Sequence, residues 1–529
     1  VALESFSPDS NVYEAGGELG TDLYHRGFAR MSQGIGESLR LNLAVGYRAV
    51  HDQHQDFDFV DAMGTAQQAQ RANGWSAFTG TAELEYERDN FDAELAFTGL
   101  FADVNEGVGI GNTLVGTAPL GEADIAETHG ELYLGRARFG LDLARDIRAE
   151  VSGYFWWTDD TTRTTSPPSG ALAFIADARI DATQYRAGTK LLFQQQHDAR
   201  PVEWVAGYEF TRREVVDARV RAFAFDTGTF LISLPDPVAA STRDIHSLLA
   251  SVQGKLLGDH LKLTAGGRID HYSDFGVQAT PRAGVIVLPE EWYALKLLYG
   301  RAFRAPSGRE THGATSFQAP ADLDPEIIDT LELVFQVERE RFNFGITGYG
   351  SIWNDAIRLQ PLDEPMGALV VSYANVGRNR AIGAEATFVY ATETFRVDAS
   401  ASYSLSEEVR DGPNQRYSAF PKLIANLGVG YTLRSARLDF YLFQRLMAGM
   451  SEGVPPAPPG TMLTPERALA PYYRVDAHVS WEAIEERLHV FANLRNAFAI
   501  DNHTPNLGNA RGGNEEMEIN ASLGARVAY

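Results

Sequence analysis

Apolar and polar residues alternate along this chain almost from end to end. In the last stretch Ile519, Ala521, Leu523, Ala525, Val527 and Tyr529 fall on one face, while Asn520, Ser522, Gly524, Arg526 and Ala528 fall on the other. Leu39, Leu41, Leu43, Val45 and Tyr47 alternate with Arg40, Asn42, Ala44, Gly46 and Arg48. Ala82, Leu84 and Tyr86 alternate with Glu83, Glu85 and Glu87; after Arg88-Asp89-Asn90 the pattern resumes as Phe91, Ala93, Leu95 and Phe97 against Asp92 and Glu94. The same holds for 261–270, 395–405 and 473–482. A period of two means strands with one apolar and one polar face. The polar triplet at 88–90 between two such runs predicts a hairpin.

A soluble sandwich also alternates, but its strands are shorter, about 5–6 residues. Most runs here are about 9–13 residues, the length of tilted strands that cross a bilayer. The connections are asymmetric. Short charged turns are predicted near 88–90, 145–146, 258–259, 289–291, 338–340, 393–394 and 485–486. Between them lie long loops rich in Gly, Pro and Asp, at roughly 51–75, 103–126, 158–182, 216–243, 302–327, 354–378, 450–471 and 499–517. Such asymmetry marks an outer-membrane barrel with periplasmic turns and extracellular loops. Counting back from the C-terminus gives about 21 strands, the first at roughly 12–31, and the start of the chain, Val1 to Ser7, supplies one more. The expectation is an all-β transmembrane antiparallel barrel of about 22 strands forming a single domain over 1–529.

Composition sharpens this reading. The 529 residues would suit three or four soluble domains, yet no linker, charge block or helical period divides them. Hydrophobic residues are 44%, and no run approaches a membrane helix; a barrel strand, apolar only at every second position, escapes average hydropathy. The chain has no cysteine, which excludes disulfides and thiolate chemistry. A formal charge of −24 argues against a nucleic-acid partner and suits acidic loops that could hold divalent cations weakly. The aromatic residues, 11% of the chain, gather near the ends of alternating runs, where interface girdles belong. No basic and apolar leader opens the chain at Val1, so an exported form has already lost its signal peptide.

The C-terminal spacing Ser522, Gly524, Val527, Tyr529 resembles the signal read by the bacterial barrel-assembly machinery, with an outward aromatic closing the chain. An ordinary last strand of a soluble sheet is the plainer alternative. The stretch from about 260 onward resembles the TonB-dependent outer-membrane receptors. The resemblance rests on Gly267-Arg268-Ile269-Asp270-His271-Tyr272 followed by Thr280-Pro281-Arg282, and on Leu297-Leu298-Tyr299-Gly300-Arg301-Ala302-Phe303-Arg304-Ala305-Pro306-Ser307 with Glu310. It continues through Leu323-Asp324-Pro325-Glu326, Thr330-Leu331-Glu332-Leu333, Tyr373-Ala374-Asn375-Val376-Gly377, Gly383-Ala384-Glu385 and Ala492-Asn493-Leu494-Arg495-Asn496. Residues 1–260 fit the architecture with weaker matches.

This resemblance implies an outer-membrane receptor that takes up a scarce nutrient, such as a metal chelate, cobalamin or an oligosaccharide. A plug domain would fill the barrel and couple it to TonB. The chain as read holds no plug domain, so the plug is expected to be removed or supplied as a separate protein. Implied ligand contacts on or beside the long loops are Arg304, Glu310, His312, Trp353, Tyr373 and His503. For Arg304, as for Glu326 and Glu332, salt bridging and loop folding are the favoured roles. Partners are outer-membrane lipid, the plug, TonB through the plug, and the assembly machinery during biogenesis. A plugless barrel serving as a passive pore or as a scaffold for partner proteins is the alternative.

Other candidates are weighed against blander readings. His51 and His54, flanked by Asp52, Asp56 and Asp58, could bind zinc or copper, but a solvated acidic loop is the favoured reading. Gly107-Val108-Gly109-Ile110-Gly111 lacks the strand-to-helix context of a dinucleotide loop. Tyr154, Phe155, Trp156 and Trp157 read first as a girdle and second as a ligand platform. No nucleophile–base pair stands at a recognisable spacing, so no enzyme and no cofactor are expected.

Overall fold

The chain folds into a closed barrel of 22 antiparallel strands. The structure is a computed structural model and describes residues 11–529 apart from 61–65, 106–125, 167–175, 196–200, 225–229, 235–240, 259, 313–316, 319–321, 362–370, 410–414, 417–418, 452–467, 506–513 and 516–518. Every described strand of eight residues or more lies in the wall, and each pairs with its neighbour in sequence. Among the described residues no helix is long and apolar enough to cross a membrane.

The ring closes where the first strand, Val12–Gly20, pairs antiparallel with the last, Asn520–Ala528, in a register running from Glu14↔Ala528 to Gly20↔Ser522. Tyr529 continues the ladder: its N–H donates to the Tyr13 carbonyl at 2.8 Å and its carbonyl accepts from Tyr13 N–H at 3.1 Å. Lumen side chains reinforce the seam. Glu18 accepts from Ser522, from Asn493 at 3.0 Å and from the Tyr24 hydroxyl at 3.1 Å. Buried Glu14 pairs with Arg30 and, at 3.4 Å, with Arg526.

The apolar half of each run faces outward. Leu43, Val45, Leu95, Phe97, Leu263, Ile269, Leu331, Leu333, Leu523 and Val527 are all exposed large hydrophobics. In water such a surface would aggregate; in a bilayer it is the solvated one. The polar half lines the lumen and is cross-linked by charge. Arg138 reaches Asp92 at 2.8 Å and Glu94 at 3.2 Å, Arg268 reaches Glu209 at 2.7 Å, and Arg474 reaches Asp476 at 3.1 Å.

Two expectations are corrected. The stretch 12–31 is not one strand. The backbone turns at Thr21–Tyr24, with Asp22 and Leu23 at positive φ, and a second strand, His25–Ile35, runs back beside the first. This turn, Thr21-Asp22-Leu23-Tyr24, is half apolar, so the pattern runs through it without a break. The count of 22 therefore closes without Val1 to Ser7, which lie outside the described residues.

Much of what read as long loops is strand. Leu39–Val60 and Ala66–Arg88 pair as far as Val60↔Ala66, and Ile147–Ser166 pairs with Ala176–Gln195 as far as Ser166↔Ala176. Tilted strands need only about 9–11 residues to cross the hydrocarbon. The surplus forms hairpins above it, where both faces are wet and composition no longer distinguishes strand from loop. His51 therefore sits on a strand.

The assembly-signal residues have visible packing roles. Ser522 is tied to Glu18, and a Cβ on Gly524 would lie 2.4 Å from the Phe491 ring, so this ring covers a bare backbone. Val527 and Tyr529 point outward, with Tyr529 83% exposed and its ring 5.8 Å from the Arg487 guanidinium. Replacing Tyr529 by Asp puts a charge at the lipid boundary, where the equilibrium cost is about 1 kcal/mol or less. The expected outcome is a lower yield of folded barrel in the outer membrane, read as the heat-modifiable fraction, with little change in denaturant resistance once inserted. Wild-type yield would contradict a role of the tail in assembly.

Candidate functional site

The first strand begins and the last strand ends at one rim of the barrel, Tyr13 beside Tyr529; the opposite rim is here called the mouth. The strand Tyr293–Arg304 arrives there, and its continuation builds a knot of charge. Arg304 donates to Glu326, Nη2 to Oε1 at 2.7 Å, and to Glu310, Nη1 to Oε2 at 2.8 Å and Nη2 to Oε1 at 3.0 Å. Glu326 is 2% exposed and also accepts the Ile357 N–H at 2.7 Å. A buried carboxylate is stable only with such partners, and the forked guanidinium supplies two at once.

Glu310 has a second task. It accepts the Ser307 N–H at 2.7 Å while its own N–H donates to Ser307 Oγ at 3.3 Å, a reciprocal capping box that opens the helix Gly308–His312. Pro306, fully buried, ends the ladder just before it, and its carbonyl accepts from Arg243 at 2.8 Å. Burial pushes the Glu310 carboxyl up, but the Arg304 and Ser307 hydrogen bonds outweigh it and hold the group below the usual carboxylate range.

A second knot ties the next loops. Asn375 accepts the Asp324 N–H at 2.8 Å and donates to the carbonyls of Asp324 and Asp355, each at 2.8 Å. Asp355 sits at φ 58°, inside a bulge of the strand Phe342–Pro361. The motif residues Arg304, Glu326 and Asn375 thus bind the bases of the mouth loops to one another. Glu332 makes no ion pair among the described residues.

The remaining candidates are scattered around the mouth. Trp353 is half-buried, and its indole N–H is buried without a partner among the described residues. It lines a lumen cavity of about 600 Å³ together with Glu326, Ser351, Arg358 and Asn379. Tyr373 stands across the ladder from Leu359. His503 pairs with Asp501 at 3.1 Å. His312 ends the short helix, and its side chain lies outside the described residues. Among the described residues the structure therefore joins Arg304 with Glu310 and does not gather the candidates into one pocket. His51 stacks on His25, ring centroids 5.2 Å apart, a neighbour invisible in the sequence because it comes from the adjacent hairpin. The side chain of His54 lies outside the described residues, and among the described residues no three His, Asp or Glu groups stand together to hold a metal.

Sequence reasoning missed a larger feature of the wall. At the seam a lumen cavity of about 980 Å³ is lined by Glu14, Glu18, Arg26, Arg48, Trp75 and His478. Its walls come from both ends of the chain, so no local signal could reveal it.

Residues 69–497 match the family described as TonB dependent receptor-like, beta-barrel, and the chain belongs to that family of outer-membrane receptors and transporters. No curated protein matches by sequence. Among solved structures, the siderophore receptor PiuA from Acinetobacter baumannii is similar at 14% identity and TM-score 0.74, over 99% of this chain and 82% of that one. The ferric-catecholate import receptor Fiu from E. coli follows at 13% and 0.73, over 99% and 82%. The copper transporter OprC stands at 15% and 0.73, over 99% and 81%. At such identities the likeness shows the fold.

The Arg304 knot predicts an acid-labile mouth. A carboxyl held below its unfolded value, about 4.3 for Glu, stabilises the fold fully above that value. That contribution is lost as pH falls through the lower folded value. Glu310→Gln removes it at all pH. The expected outcome is faster protease cleavage of the 308–321 segment than in wild type at pH 7, with the difference shrinking below about pH 4. A pH-independent difference would count against the linkage.

Proposed function

We propose that this chain is the barrel of an energy-dependent receptor that carries a scarce nutrient across the outer membrane. A plug, either an upstream segment or a separate polypeptide, occupies its lumen and couples it to TonB. The observation that supports this most is the lumen itself. Twenty-two strands enclose more space than their own side chains fill, and the wall carries charged residues such as Arg268, Glu209, Asp398 and Asp476. Such a wall is stable when wet or when it meets another polar protein surface. A wet lumen of this width would pass most small solutes, which defeats selective uptake. Solved structures described as a siderophore receptor, a ferric-catecholate import receptor and a copper transporter share the fold, which makes a metal chelate the first substrate class to test.

The chemistry is binding rather than catalysis: mouth loops and plug form the pocket, and work delivered by TonB moves the plug. A plugless pore or scaffold would have the same wall. Planar-bilayer recording of this chain separates the readings. Large conductance steps that added plug closes are expected. Large steps that no plug closes would favour the pore, and a chain that seals the bilayer alone would show that its loops fold inward and would overturn the missing-plug proposal.

A further inference from the structure

Register places three arginines side by side in the lumen wall. On four adjacent strands Trp156 stands opposite Arg186, Arg186 opposite Arg213, and Arg213 opposite Arg243. Neighbouring strands are about 5 Å apart, so the three guanidiniums begin from one short line. Their parity puts them on the face of Glu209, Ser247 and Asp270, which is the lumen face. Like charges directly opposite one another destabilise a sheet; at the opposed pairs Lys255 with Lys262 and Arg445 with Arg474 a carboxylate neutralises one member, Glu203 at Lys255 and Asp476 at Arg474.

Only one of the three is neutralised. Arg243 donates to Asp274 at 2.7 Å and lies 5.9 Å from the Tyr272 ring centroid. Arg186 and Arg213 have no carboxylate partner among the described residues. The Nε of Arg186 is buried and has no partner among the described residues, and its guanidinium lies 5.2 Å from the Trp156 ring centroid. Glu209 and Asp270, carboxylates on that face, are already bonded to Arg268, and Asp270 to Ser247 as well. Beside the row the Tyr154 hydroxyl lies 3.4 Å from Thr211 Oγ1, and its ring fits because Gly188 has no Cβ, which would sit 2.5 Å away. Arg26 and Arg48 also face each other across strands, but there Glu18 stands directly opposite Arg26.

A chain of charge −24 whose described residues leave two adjacent guanidiniums unneutralised has a local conflict, and such conflicts mark functional positions. A planar fork binds carboxylate or phosphate oxygens in pairs, and an aromatic face beneath it fixes its direction without consuming its N–H groups. We infer that Arg186 and Arg213, flanked by Trp156, Tyr154 and Arg243, form a lumen site for a small molecule bearing at least two acidic oxygens. This deepens the transport reading and rests on it: the permeating ligand is anionic. Its acidic groups displace water from the row on the way down, and Trp156 supports the guanidinium that receives them.

Citrate is the probe, titrated calorimetrically into the detergent-purified full chain. Wild type is expected to bind it, with affinity falling roughly tenfold for each of Arg186→Gln and Arg213→Gln, since a charged hydrogen-bonded pair is lost each time. Arg48→Gln, which removes equal charge elsewhere in the lumen, should leave binding unchanged. Heat-modifiable migration verifies that each variant is folded. Equal affinity in wild type and the double variant, or equal loss in Arg48→Gln, would overturn the site. If the free barrel binds citrate but the barrel assembled with its plug does not, a plug carboxylate fills the row and the small-molecule assignment is wrong. Citrate binding without bilayer conductance would overturn the missing-plug proposal and leave the site standing; conductance that added plug closes, without citrate binding, would do the reverse.

Discussion

A sheet inside a bilayer cannot leave an edge. Each backbone N–H and C=O in hydrocarbon costs several kcal/mol if unpaired, so the wall must meet itself. Here that requirement falls on two short strands from opposite ends of the chain, Val12–Gly20 and Asn520–Ala528. Everything else depends on their register. A slip by one residue would exchange Leu523 and Val527 for Ser522 and Arg526 on the lipid face. Glu18, held by Ser522, Asn493 and Tyr24, and Glu14, held by Arg30 and Arg526, pin the polar side of the seam while the apolar side faces lipid.

The same division of faces sets what the lumen can do. Apolar side chains are committed to lipid, so the interior inherits the charge. Opposite charges mostly neutralise one another across strands, as at Arg138 with Asp92 and Glu94, and this stiffens the wall. At the mouth, Arg304, Glu326 and Asn375 spend their polar groups on loop bases. Binding capacity is then left to groups that the wall does not satisfy. The Arg186–Arg213 pair and the Trp353 indole are two such places.

The architecture was legible because period-two alternation is local and is enforced by lipid on one face. Leu39 to Tyr47 and Phe91 to Phe97 carry it plainly, and the hairpin at Arg88-Asp89-Asn90 forms as the pattern requires, with Asp89 at φ 51°. The turn at Thr21–Tyr24 escapes the pattern because Leu23 and Tyr24 interrupt its polar residues, where Arg88-Asp89-Asn90 is polar throughout. The hairpins beyond the membrane were missed because lipid no longer selects their outward residues. The supporting role of Arg304 and Glu326 was readable from their place at the strand end. The capping box at Ser307 and Glu310, spaced three apart, stood in the sequence unread. The stacking of His51 on His25 and the arginine row needed the register, since each joins residues on different strands that no linear spacing connects.

The seam can be tested directly, because the chain contains no cysteine of its own. Leu19 and Leu523 are paired across it, so Leu19→Cys with Leu523→Cys places two thiols within the roughly 4.4–6.8 Å Cα range that a disulfide spans. Leu19→Cys with Ala521→Cys tests a slip of two residues that would keep the same face outward. Mild oxidation of folded, membrane-inserted protein, followed by non-reducing electrophoresis, should give a mobility shift in the first pair and not in the second. A shift confined to the second pair, or absent from both in protein that is demonstrably folded, would contradict the closed 22-strand register on which the account rests.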